Sequence, residues 1–201
     1  MKKRTTMLAL LLATGAGTCL QAQEKLTQFK VRDAITVRTP IMNDSINPKG
    51  EKYADKDLLK TPVVLDLADA PFQVLSTDTA GVLSFPKAEK DHSIYLLETS
   101  LRAERFMTGK LKVTSPARWE IFINGESKMS KENAEDSISG ASTREVNLRL
   151  EPEADYEITI KLLSGSKDKA APTLKCELIK DDKFKDITCF VSPEQKKRFA
   201  L

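Results

Sequence analysis

Residues able to do acid–base, nucleophilic or metal chemistry are few and poorly spaced in this sequence. His92 is its single histidine, in Lys90-Asp91-His92-Ser93, and a hydrolytic triad needs a base that takes a proton near neutral pH. Its position just before a strand reads as a solvent-exposed turn histidine, and no serine lies in a Gly-x-Ser-x-Gly elbow. One histidine and two well-separated cysteines do not make a zinc site. There is no Walker loop, no Gly-x-Gly-x-x-Gly and no EF-hand ligand ladder. Glu132, Glu135 and Asp136 offer oxygen ligands to calcium, but such a group in a polar stretch reads first as solvated charge. Two carboxylates for glycoside hydrolysis can come from anywhere in a fold, so 29 acids prove nothing. No catalytic residue, metal ligand or cofactor is assigned, and the expectation is a protein that is not an enzyme.

Binding chemistry depends on where the aromatic residues point. Sugar sites on β-sandwiches use exposed aromatic platforms, and the chain has one Trp, three Tyr and eight Phe. Trp119 is in phase with Ile121 and Ile123, which puts it on a buried face; Phe122 is out of phase and faces the other way. Tyr53 and Tyr95 are not placed by pattern. No binding residue is assigned.

The elements that would position such groups are strands. Leu111 and Val113 alternate with lysines and Thr114; Trp119, Ile121 and Ile123 alternate with Glu120 and Phe122; Val146, Leu148 and Leu150 alternate with Asn147 and Arg149. Tyr156 to Leu162 and Leu174 to Leu178 continue the period. One buried and one wet face per strand describes antiparallel sheets packed on each other. Asn124-Gly125 is a type I′ hairpin signal, since both central residues need positive φ. Together these predict an all-β protein, an antiparallel β-sandwich or jelly roll over residues 71–191. Residues 23–70 read as an irregular extended segment, with Val31, Ile35 and Val37 hinting at one short strand and Leu58 and Leu59 as anchor points. Val63-Val64-Leu65 opens the β-rich region, and Ser127 to Thr143 reads as a long polar surface loop.

The N-terminus carries an address. Lys2, Lys3 and Arg4 precede an apolar run from Met7 to Ala13 and a small-residue stretch ending in Leu20-Gln21-Ala22-Gln23. That is a signal peptide over residues 1–22 with cleavage after Ala22, and the apolar run falls short of the roughly 20 residues of a membrane span. The expected location is the periplasm or the cell exterior, with no transmembrane segment. A lipid anchor on Cys19 is the lesser alternative, because Ala16-Gly17-Thr18-Cys19 departs from the usual lipobox. Lys and Arg number 32 against 29 Asp and Glu, but without the three N-terminal cations the counts are 29 and 29. The mature chain is neutral, which gives no support for nucleic-acid binding.

Cleavage leaves Cys176 and Cys189, an even pair that an oxidising compartment can join. With Asp182-Lys183 as a hairpin centre, Cys176 falls opposite Cys189 at a non-hydrogen-bonded pair, where Cα atoms lie about 4.5 Å apart. Such a disulfide is expected to stabilise by roughly 3 kcal/mol. Lys180 opposite Lys185 and a turn without glycine argue against it. At the C-terminus, Ser192 as N-cap, Pro193 at the first helical position and Gln195 at capping-box spacing predict a short helix within residues 192–201.

The stretch Gly109-Lys-Leu-Lys-Val-Thr-Ser through Trp119-Glu-Ile-Phe-Ile-Asn-Gly125, with Arg144 to Pro152 and Tyr156 to Leu162, resembles the galactose-binding-like jelly rolls attached to exported hydrolases. This resemblance implies the fold and an accessory role, and carries over no binding residue. Ser192-Pro193-Glu194-Gln195 through Phe199-Ala-Leu201 resembles, more weakly, the linker into the β-propeller of secreted prolyl-oligopeptidase-type serine peptidases. It implies a catalytic domain wholly beyond Leu201. The expected function is therefore a non-catalytic exported module for binding or domain packing beside a hydrolase, of the serine-peptidase kind; the alternative is a free-standing carbohydrate-binding protein.

Overall fold

Alternating strands close into two antiparallel sheets laid face to face in a computed structural model, which describes residues 23–36, 50–51, 54–60, 72–89, 92–137 and 139–193. The strands are β1 (Gln23–Lys25), β2 (Gln28–Thr36), β3 (Phe72–Ser76), β4 (Val82–Ser84), β5 (His92–Ala103), β6 (Met107–Thr114), β7 (Arg118–Ile123), β8 (Glu126–Lys131), β9 (Thr143–Leu150), β10 (Asp155–Gly165), β11 (Thr173–Lys180) and β12 (Cys189–Ser192). A single helix, α1 (Asp55–Lys60), and a 3-10 turn (Asp182–Phe184) complete the described elements. The five-stranded sheet runs β1-β11-β6-β9, with β4 also on β11; the seven-stranded sheet runs β3-β2-β5-β10-β7-β8, with β12 also on β5. Among the described residues no helix is long and apolar enough to cross a membrane.

The inward faces meet in one large core. Trp119, Ile121, Ile158, Ile160 and Leu162 of the seven-stranded sheet pack with Leu111, Val113, Leu150, Leu174 and Leu178 of the other. Each such side chain contributes about 1.5–3 kcal/mol on burial. Trp119 is fully buried, as its phase predicts, and its indole N–H has no hydrogen-bond partner among the described residues. The β7–β8 hairpin turns at Asn124 and Gly125, with φ of 52° and 78°. Asn124 also secures β10, donating its N–H to the Glu157 carbonyl at 2.8 Å and accepting the Glu157 N–H at 2.9 Å on its side-chain oxygen.

Three expectations are corrected. The stretch read as irregular from residue 23 supplies β1 to one sheet and β2 to the interior of the other, where β2 lies between β3 and β5. The short strand hinted at by Val31 and Ile35 is there, and it is longer than read, at nine residues. The polar stretch Ser127 to Thr143 is not all loop: residues up to Lys131 pair with β7 because backbone hydrogen bonds, not apolar side chains, hold an edge strand. Lastly, β11 and β12 do not form a hairpin. β11 pairs with β1, β4 and β6, while β12 crosses to β5 of the opposite sheet, Cys189 lying opposite Ala103. Cys176 sits opposite Val113 near one end of β6, and the Cys189 sulfur touches the sulfur of Met107 near its other end, at 3.2 Å. Six residues of strand span about 20 Å, so the expected Cys176–Cys189 bridge is out of reach and both thiols are free and buried. Burial pushes both thiols above their ordinary pKa, which keeps them protonated and unreactive.

Val37, Tyr53, Val63 to Leu65, the expected signal peptide with Cys19, and the predicted helix beyond Pro193 lie outside the described residues. Leu58 and Leu59 do anchor: they form the buried side of α1 and pack on Ile94, Leu96 and Leu163.

Candidate binding cleft

Helix α1 packs on one end of the outer face of the seven-stranded sheet, against β5, β7 and β10. At its end of β5 and β10 both faces are buried, which explains the unbroken apolar run Ile94-Tyr95-Leu96-Leu97. Polar contacts secure the helix. Asp55 pairs with Arg118, whose guanidinium also reaches both oxygens of Asp168 at 2.9 Å, and Lys60 meets Glu132 at 2.7 Å. Buried Lys161 donates to the Leu59 carbonyl, and burial holds its pKa below the ordinary value.

His92 belongs to this clamp rather than to an exposed turn. It is the first residue of β5, half-buried, with Nε2 3.1 Å from the Asp55 carboxylate. Asp55 is its hydrogen-bond partner among the described residues, so the geometry places no nucleophile beside it. The weighed calcium ligands are also committed elsewhere. Glu132 pairs with Lys60, Asp136 with Lys169 at 2.6 Å, and Glu135 accepts from Lys131 at 3.0 Å and the Ser142 N–H at 2.8 Å. Burial pushes the Glu135 carboxyl up, but the hydrogen bonds from Ser142 and Lys131 outweigh it and leave the group below its usual range. Lys131, buried under the carbonyls of Ser115 and Ala117, has its pKa lowered by burial. Tyr95 points inward and donates to the Pro86 carbonyl at 2.8 Å, and Phe122 is half-buried on the outer face.

Beyond the helix the outer face opens into a cleft of about 530 Å³ lined by Ser100, Arg102, Glu104, Glu153, Asp155 and residues of β12. Strand register builds it. Phe190 of β12 lies opposite Arg102 of β5, and Arg102 lies opposite Asp155 of β10. These three side chains therefore form one row across three strands, about 10 Å from end to end. Cys189 is buried in the core, so its neighbour Phe190 points outward, 56% exposed. Among the described residues no ion pair engages Arg102, Glu104, Glu153 or Asp155. Glu153 is held at φ 57°, a left-handed backbone that costs a non-glycine residue about 1 kcal/mol. The Glu153 N–H is tied to the Ala103 carbonyl at 3.3 Å.

The sequence pattern did not single out Phe190, Arg102, Glu153 or Asp155. The available signal was the alternation Cys189, Phe190, Val191, which aims the aromatic out of the core.

No family model matches the chain, and no curated protein matches its sequence. Among solved structures, a PA14 sugar-binding domain from an RTX adhesin aligns over 50% of this chain and 52% of its own, at 18% identity and a TM-score of 0.34. A β-glucosidase from Kluyveromyces marxianus in complex with glucose aligns over 76% of this chain and 18% of its own, at 13% identity and a TM-score of 0.43. The GH31 α-xylosidase Xac1773 from Xanthomonas citri aligns over 85% of this chain and 17% of its own, at 9% identity and a TM-score of 0.43. The chain thus spans about half of the first and under a fifth of the other two. At these scores none of them bears on what it binds. None of the three is a peptidase, and the peptidase resemblance gains no support from them.

Proposed function

We propose that the protein is a non-catalytic, exported carbohydrate-binding β-sandwich module whose site is the open part of the seven-stranded sheet's outer face. The observation that carries this reading is the row Phe190–Arg102–Asp155 along the cleft. An exposed ring offers an apolar sugar face a stacking surface, while a guanidinium and a carboxylate beside it donate to and accept from hydroxyls. A cleft of this volume falls within the usual range for small-ligand sites. An accessory role beside an exported hydrolase is compatible with this reading; a serine-peptidase partner rests on residues past Pro193 and has no observation in its favour.

The test is a glycan array on the wild-type protein and on Phe190→Ala, followed by calorimetric titration of any hit. Loss of the ring is expected to weaken binding about tenfold and to leave the melting temperature within a degree or two, because an exposed side chain contributes little to the core. Full-strength binding by Phe190→Ala, or no hit for the wild type, would reject the cleft as a sugar site.

A further inference from the structure

The cleft's charge is lopsided. Among the described residues Glu104, Glu153 and Asp155 bring three carboxylates to it and Arg102 one guanidinium, whereas residues 23–201 as a whole hold 29 cations and 29 acids. The five-stranded sheet treats its acids differently: Glu145 and Glu177 each have a lysine within 4.0 Å. The cleft carboxylates have no such partner among the described residues, and they are not gathered closely enough to hold a metal ion. Ser100 adds an independent sign of a ligand. It lines the cleft, is only 6% exposed, and its hydroxyl makes no hydrogen bond among the described residues. The hydroxyl itself is not sealed from solvent, so it is accessible from the cleft and open to a hydrogen bond with a ligand there.

Resting on the sugar-binding reading above, we propose that the cleft selects an amino sugar, a saccharide carrying a protonated primary amine. The sugar ring lies on Phe190, Arg102 and Ser100 address its hydroxyls, and the ammonium pairs with one of the carboxylates of Glu104, Glu153 and Asp155 while the others add to the negative field. A neutral sugar would satisfy Arg102 and Ser100 but leave the excess negative charge uncompensated. An acidic sugar would be repelled, since like charges brought together in a cleft are penalised more than on an open surface. An ammonium supplies three N–H donors to carboxylate acceptors, and such charge-assisted bonds are the strong ones.

The experiment titrates the protein at pH 6 and low salt with three tetrasaccharides of the same β-1,4 backbone: glucosamine, N-acetylglucosamine and glucose. Tetralysine serves as a sugar-free cation. The glucosamine tetramer is expected to bind about tenfold more tightly than either neutral tetramer, with the advantage shrinking as salt rises. In Glu104→Gln and Asp155→Asn, both at exposed or half-exposed positions, that advantage should fall severalfold while the folded spectrum is unchanged. Equal binding of charged and neutral tetramers would overturn the amine selectivity and leave the sugar site standing. Tetralysine binding as tightly as the glucosamine tetramer would show a plain charge trap and overturn both selectivity and sugar recognition. Binding of none of the four would overturn the sugar-binding reading itself.

Discussion

The two outer faces of this sandwich are built from the same kinds of residue and do opposite things with them. On the five-stranded sheet, Lys110 lies 2.8 Å from Glu145 on the neighbouring strand, and Glu177 is held between Lys175 at 2.5 Å and Lys112 at 3.9 Å. Among the described residues every acid of these strands has a cross-strand or same-strand cation, and the face presents no exposed large apolar side chain. On the seven-stranded sheet, one end is sealed by α1 and the other leaves Phe190, Arg102, Glu104 and Asp155 with no such partners among the described residues. A charge-paired lattice is a finished surface; a row of unmatched charge beside an exposed ring is the surface proposed above as the ligand site. The lesson is that composition does not separate the two, because both are polar alternations. Pairing does.

That contrast can be broken most forcefully on the structural side. Gly109 of β6 sits where an added Cβ would lie 2.4 Å from the Ile179 carbonyl oxygen of β11, a backbone atom unable to swing away. Gly109→Ala should therefore cost about 2–3 kcal/mol, read as a drop in the denaturation midpoint, while sugar affinity of the folded protein stays as it was. Lost affinity at unchanged stability would mean that the five-stranded face takes part in binding and that the division of labour is wrong.

A smaller and opposite effect is expected at the cleft. Glu153 pays for a left-handed backbone that asparagine adopts readily. Glu153→Asn should raise stability by about 0.5–1 kcal/mol, seen as a higher melting temperature, and should weaken binding of a cationic sugar by removing one carboxylate. A variant that loses stability would show that the Glu153 side chain holds the turn rather than serving the cleft.

The smallest effect belongs to the paired lattice. Lys110 holds the Glu145 carboxyl below its ordinary value of 4.5, through its hydrogen bond and then its charge. A carboxylate with a depressed folded pKa lends stability that is present above the unfolded value and lost as pH falls through the folded one. The pair is fully exposed to solvent and salt, so the effect is slight. Glu145→Gln should melt marginally below wild type at neutral pH, and the two curves should converge below about pH 4.5. Curves that stay parallel from pH 7 to 3 would remove the pair from any role in stability.

Much of this architecture was legible in the sequence. Period-two alternation of residue type marked β6, β7, β9, β10 and β11, because each turns one apolar face into the shared core. Asn124-Gly125 marked its hairpin because few residue pairs tolerate two consecutive positive φ angles. The phase of Trp119 gave its burial, and Leu58-Leu59 gave the anchoring of a segment otherwise rich in turn residues. These are local properties, fixed by backbone sterics and by which side of a strand each residue occupies.

The tertiary structure alone decided which strands became neighbours. β2 and β12, far apart in the chain, share one edge of β5, the first over residues 93–98 and the second over residues 100–103. That arrangement separates Cys176 from Cys189, and it places Phe190 beside Arg102 and Asp155. Backbone hydrogen bonds between strands are nearly blind to side-chain identity, so a strand's own residues state its faces but not its partner. The partner is set by closing the whole core, and among the described residues that closure leaves part of one outer face as an open cleft.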